Sequence, residues 1–493
     1  MYRRTTLLVL VLWCVLAWAP TQASQAPGEE TWMSVRLSGR KIGHLLISRK
    51  VDGDQVVTTQ TLSIMLNRNG KSIPMDNVDR SVESLTGAPL AFSSRMSMSS
   101  MDSSSDGSID AHGWFNAVNQ VAGAKQSATA RWPQGALLAE GLRQAMLKQA
   151  PFTGKHYDLL IFDQATQQVV PIQVEVLGNE QVNLPEGSEL LNHQRQTMRT
   201  AKGTQLIDLW LAADGQVRKG VLSMLGRDME MLACSRTCAE APVQDLDMFR
   251  AAIVDSPRPL PPYLRENFLR YIIHTGSQAS QPLAETDEQR VHALADGDWE
   301  VDIGPATAGG QPPPTDADRE PNLWVQSDAP PIQALARQAV GNATTDQDKM
   351  RRLRMFVSNY ITGHGLDVGY ASALEVASTR RGDCTEYAIL LTALARAQGI
   401  PARMVTGMVY ADRYAGNSRV FLPHAWVQAW VNHRWQSFDA ALRHFDTSHI
   451  AIDSGDGDPW HFFNAGQVFA TMRIDRVLPF WEILDTPPAG KTL

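Results

Sequence analysis

The sequence has few cysteines, no excess of basic residues and no internal repeat of fixed period. Its 493 residues include four cysteines and carry a net charge of −7. The lack of a basic excess argues against nucleic acid and anionic membrane surfaces as partners. Hydrophobic residues make up 43% and charged residues 20%, which is typical of a folded soluble protein. Because the chain is too long for one hydrophobic core, we expect two or more domains.

The first 23 residues have the features of an export signal. Arg3 and Arg4 precede an apolar run over 7–19, and small residues follow as far as Ala23. This run is shorter than the roughly 20 residues that a transmembrane helix needs. We therefore predict a signal peptide at 1–23 and an exported protein, periplasmic or extracellular. The alternative is an uncleaved segment, and only then do we expect membrane association.

Export makes the other cysteines informative. Once Cys14 is removed with the signal, Cys234, Cys238 and Cys384 are left. Cys234 and Cys238 can form a disulfide if the chain turns between them, whereas in an extended strand their Cα atoms lie too far apart. A metal site there would need two more ligands, which the neighbouring sequence does not offer. Cys384 is the unpaired thiol, and in an exported protein such a thiol is either deeply buried or reactive.

Residues 31–241 consist mostly of short alternating segments separated by turn signals. Residues 56–64 are rich in β-branched side chains, as in a strand, and Asp106-Gly107 has the chemistry of a hairpin turn. Helical spacing is confined to the stretch 138–149. We predict an antiparallel β-rich domain over 31–241. Because it lacks the residue chemistry of an active site, its expected role is binding or scaffolding.

The composition changes after the β-rich region. Prolines cluster at 257–262, and residues 242–328 are predicted to be a Pro/Gly-rich linker region with a short helix. The helical pattern falls at Leu264–Thr275, and Trp299–Ile303 has the pattern of a strand. Stronger helical patterns follow, and they indicate a C-terminal domain at 329–485.

Cys384 lies at the predicted start of a buried helix. Asp383 and Glu386 have the spacing of a capping box, and Gly399 supplies a stop at the other end. The helix is surrounded by apolar residues, so we expect it to be central. A cysteine in the first turn lies in the partial positive charge of the helix N-terminus, which favours the nucleophilic thiolate. The two capping carboxylates oppose this effect, so its net size is modest.

His424 and Asp439 are predicted to be neighbours across a hairpin. Residues 425–431 and 434–439 have the patterns of strands joined by a two-residue turn. In that register the two side chains lie diagonally on one face, close enough for a carboxylate–imidazole hydrogen bond. With Cys384 they form a predicted catalytic site of Cys384, His424 and Asp439. No cofactor and no metal are expected.

The chemistry of this site is acyl transfer. His424 would deprotonate Cys384, and the thiolate would attack an amide carbonyl to form a thioacyl intermediate. The Cys384 backbone N–H is the expected oxyanion donor. The predicted function is a thiol-dependent amidohydrolase or acyltransferase with a peptide or protein substrate. A peptidase or deamidase is favoured over a crosslinking enzyme because water is always available as acceptor.

These motifs resemble the transglutaminase-like superfamily. They are Gly-Asp-Cys-Thr-Glu-Tyr-Ala at 382–388, Gly-Ile-Pro-Ala-Arg at 399–403 and His-Ala-Trp at 424–426. The resemblance implies a papain-like core, with a helix bundle packed on an antiparallel sheet, at about 329–485. It also implies that Cys384, His424 and Asp439 act in that order. The fold expected for the chain is thus α+β, with the β-rich domain preceding this core.

The chain departs from the family pattern at two places. Gln428 stands where an acidic residue is common, and Ala440-Ala441 replaces a frequent Pro-Thr. Both departures concern the handling of substrate and leave the three site residues in place. Since the family includes inactive members, the alternative function is a catalytically silent fold that binds a protein or peptide. In that case the β-rich domain would carry the biological role.

Overall fold

The structure is a computed structural model that describes residues 28–484, with gaps at 69, 99–100, 201–202, 225–226, 277–281, 308, 366–369, 459–464, 466–467 and 470. The predicted signal peptide at 1–23 lies outside the described residues. Among the helices of the described part, none is both long and apolar enough to cross a membrane.

The N-terminal half forms one sheet of fifteen strands. The first eight are β1 (Glu29–Leu37), β2 (Arg40–Asp52), β3 (Gln55–Arg68), β4 (Lys71–Ser84), β5 (Pro89–Met98), β6 (Met101–Ile109), β7 (Trp114–Val121) and β8 (Ala124–Arg131). The others are β9 (Ala136–Leu137), β10 (His156–Phe162), β11 (Val169–Leu184), β12 (Gly187–Thr200), β13 (Gly203–Leu211), β14 (Val217–Met224) and β15 (Arg227–Ala233).

The two halves of this sheet join where its first and last strands pair. The order runs from β8 back to β1, then from β15 back to β9, and all pairs are antiparallel except β9 with β10. Helix α1 (Ala139–Gln149) lies against β3, β4 and β9. The Glu83 carboxylate of β4 accepts hydrogen bonds from the N–H groups of Glu140 and Gly141 at 2.7 and 2.9 Å, so a neighbouring strand caps the helix. The large antiparallel β-rich region predicted from the sequence is confirmed.

One predicted turn in this region is wrong. Asp106 and Gly107 lie inside β6 and do not form a hairpin turn. The reason for the glycine is packing: a Cβ atom at Gly107 would lie 2.2 Å from the ring of Phe92 on β5. The last strand of this sheet along the chain, β15, is followed by α2 (Arg236–Ala239). The chain turns there, and Cys234 and Cys238 form a disulfide with a Cα–Cα distance of 5.9 Å.

Residues 242–328 hold strands of the C-terminal sheets, so the prediction of a linker is wrong for them. The elements are α3 (Met248–Ala251), β16 (Val254–Asp255), α4 (Pro262–Arg265), β17 (Leu269–His274), β18 (Gln289–Ala293), β19 (Trp299–Ile303) and a 3₁₀ turn at Asp316–Asp318. The helix predicted over Leu264–Thr275 ends early because the chain becomes strand β17, whose residues 269 and 271–273 are buried. The strand predicted at Trp299–Ile303 is confirmed.

The C-terminal part combines helices with two small sheets. Its elements are α5 (Pro330–Val340), α6 (Asp346–Tyr360), β20 (Gly363–His364), α7 (Ala373–Thr379), β21 (Arg381–Gly382), α8 (Cys384–Ala397), β22 (Ala402–Tyr414), β23 (Asn417–Val431), β24 (Arg434–Phe438), β25 (His449–Gly455), β26 (Arg473–Pro479) and α9 (Phe480–Leu484). Strands β16, β23, β22 and β25 form a sheet in which β24 also pairs with β23, on the edge away from β22, while β18, β19, β17 and β26 form a second sheet.

Helix α8 is the centre of this part. Its residues 385–396 are buried, and it contacts α5, α6 and α7 on one side and strands β22 and β23 on the other. Three residues of the N-terminal sheet, Ile73, Met96 and Met98, pack into the same hydrophobic core. A helix held from all sides fixes the position of its first residue, and that residue is Cys384.

Candidate active site

Cys384 is held at the start of α8 by a capping box. The Asp383 carboxylate accepts a hydrogen bond from the Thr385 N–H at 3.0 Å, and the Glu386 carboxylate accepts one from the Asp383 N–H at 2.8 Å. Glu386 is fully buried and also accepts from the N–H of Ala371 at 3.1 Å. Cys384 is a free, half-buried thiol. The predicted capping box is confirmed, and it leaves the Cys384 N–H among those that a helix start directs outward.

His424 lies in the middle of β23 and is buried. Its partner across the ladder is Gly407 of β22, where a Cβ atom would lie 2.0 Å from the Ile450 carbonyl oxygen. Only glycine allows this close approach of β22 and β25. The Nε2 atom of His424 lies 2.7 Å from Oδ2 of Asp439. The Cys384 thiol is also near enough to contribute to the raised pKa of this imidazole, and Nδ1 is the ring nitrogen that Asp439 leaves for it.

Asp439 follows directly after β24. The observed pairs Val427 with Phe438 and Trp430 with Trp435 confirm the predicted hairpin register. The Asp439 carboxylate is buried, and its Oδ1 accepts hydrogen bonds from the N–H groups of Ala441 and Leu442 at 2.7 and 2.9 Å. The structure therefore brings Cys384, His424 and Asp439 together from a helix start, a strand and a strand end.

A fourth residue of this cluster, His449, is buried and was not predicted as a site residue. Its Nε2 atom lies 3.1 Å from Oδ2 of Asp439, the oxygen that also binds His424. Its Nδ1 atom lies 3.0 Å from the carbonyl oxygen of Asp446. Residues 439–449 have neither helical nor strand periodicity, so no local pattern places His449 beside Asp439.

The charges of this cluster support one another. Burial alone lowers the pKa of His424, but the charge and hydrogen bond of Asp439, together with Cys384, raise it to about 10. Burial raises the pKa of Asp439, but His424 and then His449 outweigh it and hold that pKa well below its usual range. Burial also opposes the charge of His449, yet its bonds to Asp439 and Asp446 raise its pKa. The arrangement thus favours a protonated imidazole beside Cys384.

A second carboxylate cluster holds the outer edge of β24. Asp287 accepts a hydrogen bond from the Trp435 N–H at 2.7 Å, and Glu288 accepts from the Ser437 N–H at 2.9 Å and from the Ser437 hydroxyl. Burial raises the pKa of Glu288 to about 7, although its bonds to Ser437 and Gln428 act in the opposite direction. The segment before β18 therefore fixes the strand that ends at Asp439.

Three of the site residues also have the spacing of a metal cluster. The ligand atoms of His424, Asp439 and His449 lie within 4.8 Å of one another. Both imidazoles, however, are within hydrogen-bond distance of the same carboxylate oxygen, at 2.7 and 3.1 Å. The hydrogen bonds account for the close spacing without an ion.

Part of the C-terminal region matches a known protein family. Residues 333–440 match the model of the transglutaminase-like superfamily. The C-terminal core is transglutaminase-like. The matched residues include Cys384, His424 and Asp439 but not His449 or Glu288.

Individual proteins show more distant likenesses. An uncharacterized protein of Mycobacterium leprae (strain TN) is 35% identical over 68 residues, which are 13% of this chain and 24% of that protein. The match thus spans about a quarter of that relative. The crystal structure of a candidate cysteine protease from Cytophaga hutchinsonii is 17% identical with a TM-score of 0.28, over 43% of this chain and 83% of that one. A β-barrel-like protein of unknown function from Brucella abortus is 13% identical with a TM-score of 0.35, over 42% of this chain and 96% of that one.

Proposed function

We propose that this protein is an exported thiol-dependent amidohydrolase or acyltransferase that acts on peptide or protein amides. Cys384 is the nucleophile, His424 the general base and acid, and Asp439 the residue that orients His424. The observation that carries the proposal is a buried imidazole that is hydrogen-bonded to a carboxylate and interacts electrostatically with a free thiol. The domain with this site is proposed at 329–485, with a helix bundle on its sheet.

The first half of the reaction forms a thioester. The Cys384 thiolate attacks the carbonyl carbon of an amide, and the oxyanion lies near the Cys384 backbone N–H. As the C–N bond breaks, the His424 imidazolium donates its Nδ1 proton to the leaving nitrogen, so the amine departs neutral. The negative Asp439 stabilises the imidazolium before this step and keeps Nε2–H in place throughout.

The second half releases the acyl group. Neutral His424 takes a proton from water, the hydroxyl oxygen attacks the thioester carbonyl, and the C–S bond breaks to restore the Cys384 thiolate. An amine can take the place of water and receive the acyl group. We favour hydrolysis, as a peptidase or deamidase, because water is present at every turnover.

A second candidate function is peptide or protein binding by a silent core. Met96 and Met98 of the β-rich region pack into the same core as α8, so the 31–241 region contacts the part of the protein that carries Cys384. In this case the thiol would have no catalytic part, and export from a cleaved 1–23 signal would apply to both functions.

The decisive experiment measures the reactivity of Cys384. Full-length protein without its signal is treated with iodoacetamide near neutral pH, and the adduct is located by mass spectrometry. We expect rapid alkylation at Cys384, and a large loss of rate in His424→Ala. Cys384→Ala serves as the control for labelling elsewhere. If the wild-type thiol reacts no faster than a free cysteine, the enzyme proposal fails and the binding function takes its place.

The reaction type is then tested with a mixture of exported proteins. Wild type and Cys384→Ala are incubated with it, and mass spectrometry distinguishes cleaved peptides, deamidated glutamines and crosslinks. New termini or deamidation that depend on Cys384 support hydrolysis. Crosslinks without either product would overturn the preference for water as acceptor.

A further inference from the structure

The Asp439 carboxylate has all of its acceptor positions filled. Oδ1 accepts from two backbone N–H groups, and Oδ2 lies 2.7 Å from His424 and 3.1 Å from His449. An ionised carboxylate has about four lone-pair sites and no donor. Both imidazoles must therefore present N–H to Oδ2, and this fixes the Nε2–H form of His424 and directs its Nδ1 to Cys384. The proposed mechanism uses His424 but leaves His449 without a part.

His449 is itself held from two directions. Its Nδ1 atom lies 3.0 Å from the Asp446 carbonyl oxygen and 3.3 Å from the Asp446 carboxylate. Arg265 of α4 contacts that carboxylate at 3.1 Å, and its own carbonyl oxygen accepts from the Thr447 N–H at 2.9 Å. The hydroxyl of Tyr271 on β17 donates to the Thr447 carbonyl oxygen at 2.7 Å. The turn that carries His449 is thus tied to the segment before the core.

We propose that His449 is a positioning residue of the active site, which anchors Asp439 and through it orients His424 toward Cys384. This inference rests on the proposed function of Cys384. Its physical basis is the shared oxygen: with His449 removed, Oδ2 would lose one of its two buried donors, and its position relative to His424 would be less constrained. Such a loss is expensive because it leaves a buried acceptor without one of its donors.

His449 also contributes charge. With Nε2–H toward Asp439 and Nδ1–H toward Asp446, the protonated ring satisfies both carboxylates at once. The charged and titratable groups around it are Asp439, Asp446, His424 and Glu288, with Arg265 and His444 beyond Asp446. A cation at this position favours an anion at Cys384, so its loss raises the pH at which the thiol becomes reactive.

Two variants separate anchoring from charge. His449→Gln keeps a donor of similar reach but has no charge, whereas His449→Leu has neither. His444→Gln is the matched control, because His444 contacts Asp446 at 3.5 Å from an exposed position and does not touch Asp439. Alkylation of Cys384 by iodoacetamide is measured for each protein from about pH 4 to about pH 10, and melting temperatures are recorded in parallel.

We expect His449→Leu to slow alkylation by at least about tenfold near pH 7, and His449→Gln to restore most of the rate. In His449→Gln the pH of half-maximal alkylation should rise by roughly half a unit or more, while His444→Gln keeps the wild-type midpoint. A purely structural role would lower the melting temperature without slowing alkylation or moving the midpoint, so a wild-type rate in His449→Leu together with an unshifted profile in His449→Gln overturns the proposal. An unreactive wild-type Cys384 would instead overturn the proposed function, and this inference with it.

Discussion

The Nε2 atom of His424 lies 2.7 Å from the Asp439 carboxylate, and both side chains are buried. Because the pair is buried, the carboxylate stabilises the imidazolium more strongly than it would at the protein surface. It also decides the tautomer, because a carboxylate can only accept. The consequence is a ring nitrogen with a lone pair directed at Cys384 whenever His424 is neutral.

Asp439→Asn tests this orientation. The amide keeps the shape of the carboxylate, but one of its two oxygens is replaced by an N–H₂ group, which donates and cannot accept. The asparagine side chain therefore cannot accept all the hydrogen bonds that the imidazoles and the backbone direct at Asp439. We expect His424 to adopt the wrong tautomer and the rate of Cys384 acylation by a small activated ester to fall by roughly 10²- to 10⁴-fold. The matched control is Asp255→Asn, because this carboxylate is exposed on β16. A loss of less than about threefold in Asp439→Asn would contradict the role given to Asp439.

The raised pKa of His424 predicts how stability depends on pH. The pKa is about 10 in the folded protein, against 6.5 for the ordinary group. The stabilisation from charged His424 is therefore complete below about pH 6.5 and is lost as the pH rises through about 10. The urea unfolding free energies of wild type and His424→Gln should converge across this range. A difference that is constant from neutral to alkaline pH would show that His424 is not charged in the folded state.

The raised pKa of Glu288 predicts a second effect of pH on stability, which arises from burial and not from an ion pair. Burial raises its pKa to about 7 from 4.5, although hydrogen bonds and the charge of His449 oppose this, so the folded protein favours its protonated form. This contribution is present below pH 4.5 and is lost as the pH rises through about 7. Glu288→Gln keeps an acceptor for the Ser437 N–H and cannot ionise. We expect the free energy of unfolding of Glu288→Gln to exceed that of wild type by on the order of 2 kcal/mol at about pH 8. At about pH 4 the two free energies should be equal. Urea unfolding at the two pH values measures this.

The local features of the site could be predicted from the sequence. Asp383, Glu386 and Gly399 define a helix by short-range capping, and a two-residue turn fixes the register of the hairpin. Both depend on residues a few positions apart, so a single sequence is enough. For the same reason Cys384 could be assigned to a helix start and His424 to the edge of a strand, although β23 begins earlier and holds His424 in its middle.

The missed features depend on contacts between distant parts of the chain. Glu288 gains its environment from Ser437, 149 residues later, and no local pattern encodes that pairing. The 242–328 segment was predicted as a linker because its prolines break periodicity, but its short strands are stabilised by pairing with β23 and β26. Gly107 was assigned to a turn because glycine tolerates turns, whereas here it makes room for Phe92.

The position of the disulfide predicts that the reactivity of Cys384 does not depend on the Cys234–Cys238 bridge of the β-rich region. The bridge between Cys234 and Cys238 closes a loop with a sequence separation of 4, so loop closure contributes only about 2 kcal/mol. We expect the double change of both cysteines to serine to lower the stability of the β-rich region by about that amount, as followed by circular dichroism. The alkylation rate of Cys384 should be unaffected, since the bridge directly follows β15 and neither cysteine is among the described residues of the core around α8. A slowed Cys384 in this variant would show that the β-rich region supports the site.

Gly407→Ala tests the backbone that supports His424. An added Cβ would lie 2.0 Å from the Ile450 carbonyl oxygen and 2.7 Å from the ring of Trp426, neither of which has room to move in the buried sheet. The strands must then separate at the irregularity between Thr406 and Gly407, which displaces His424 across the ladder. We expect a loss of about 2–3 kcal/mol in stability and a fall of at least about tenfold in Cys384 alkylation.

The matched control for this change is Gly416→Ala. Gly416 lies in the turn between β22 and β23, and nothing lies within 4 Å of an added Cβ, although its φ of +89° makes the substitution strained. Backbone strain at this turn should therefore lower stability by about 1 kcal/mol and leave the thiol rate as in wild type. Equal effects of the two changes on alkylation would mean that the rate follows global stability and that the close approach at Gly407 has no particular part in placing His424.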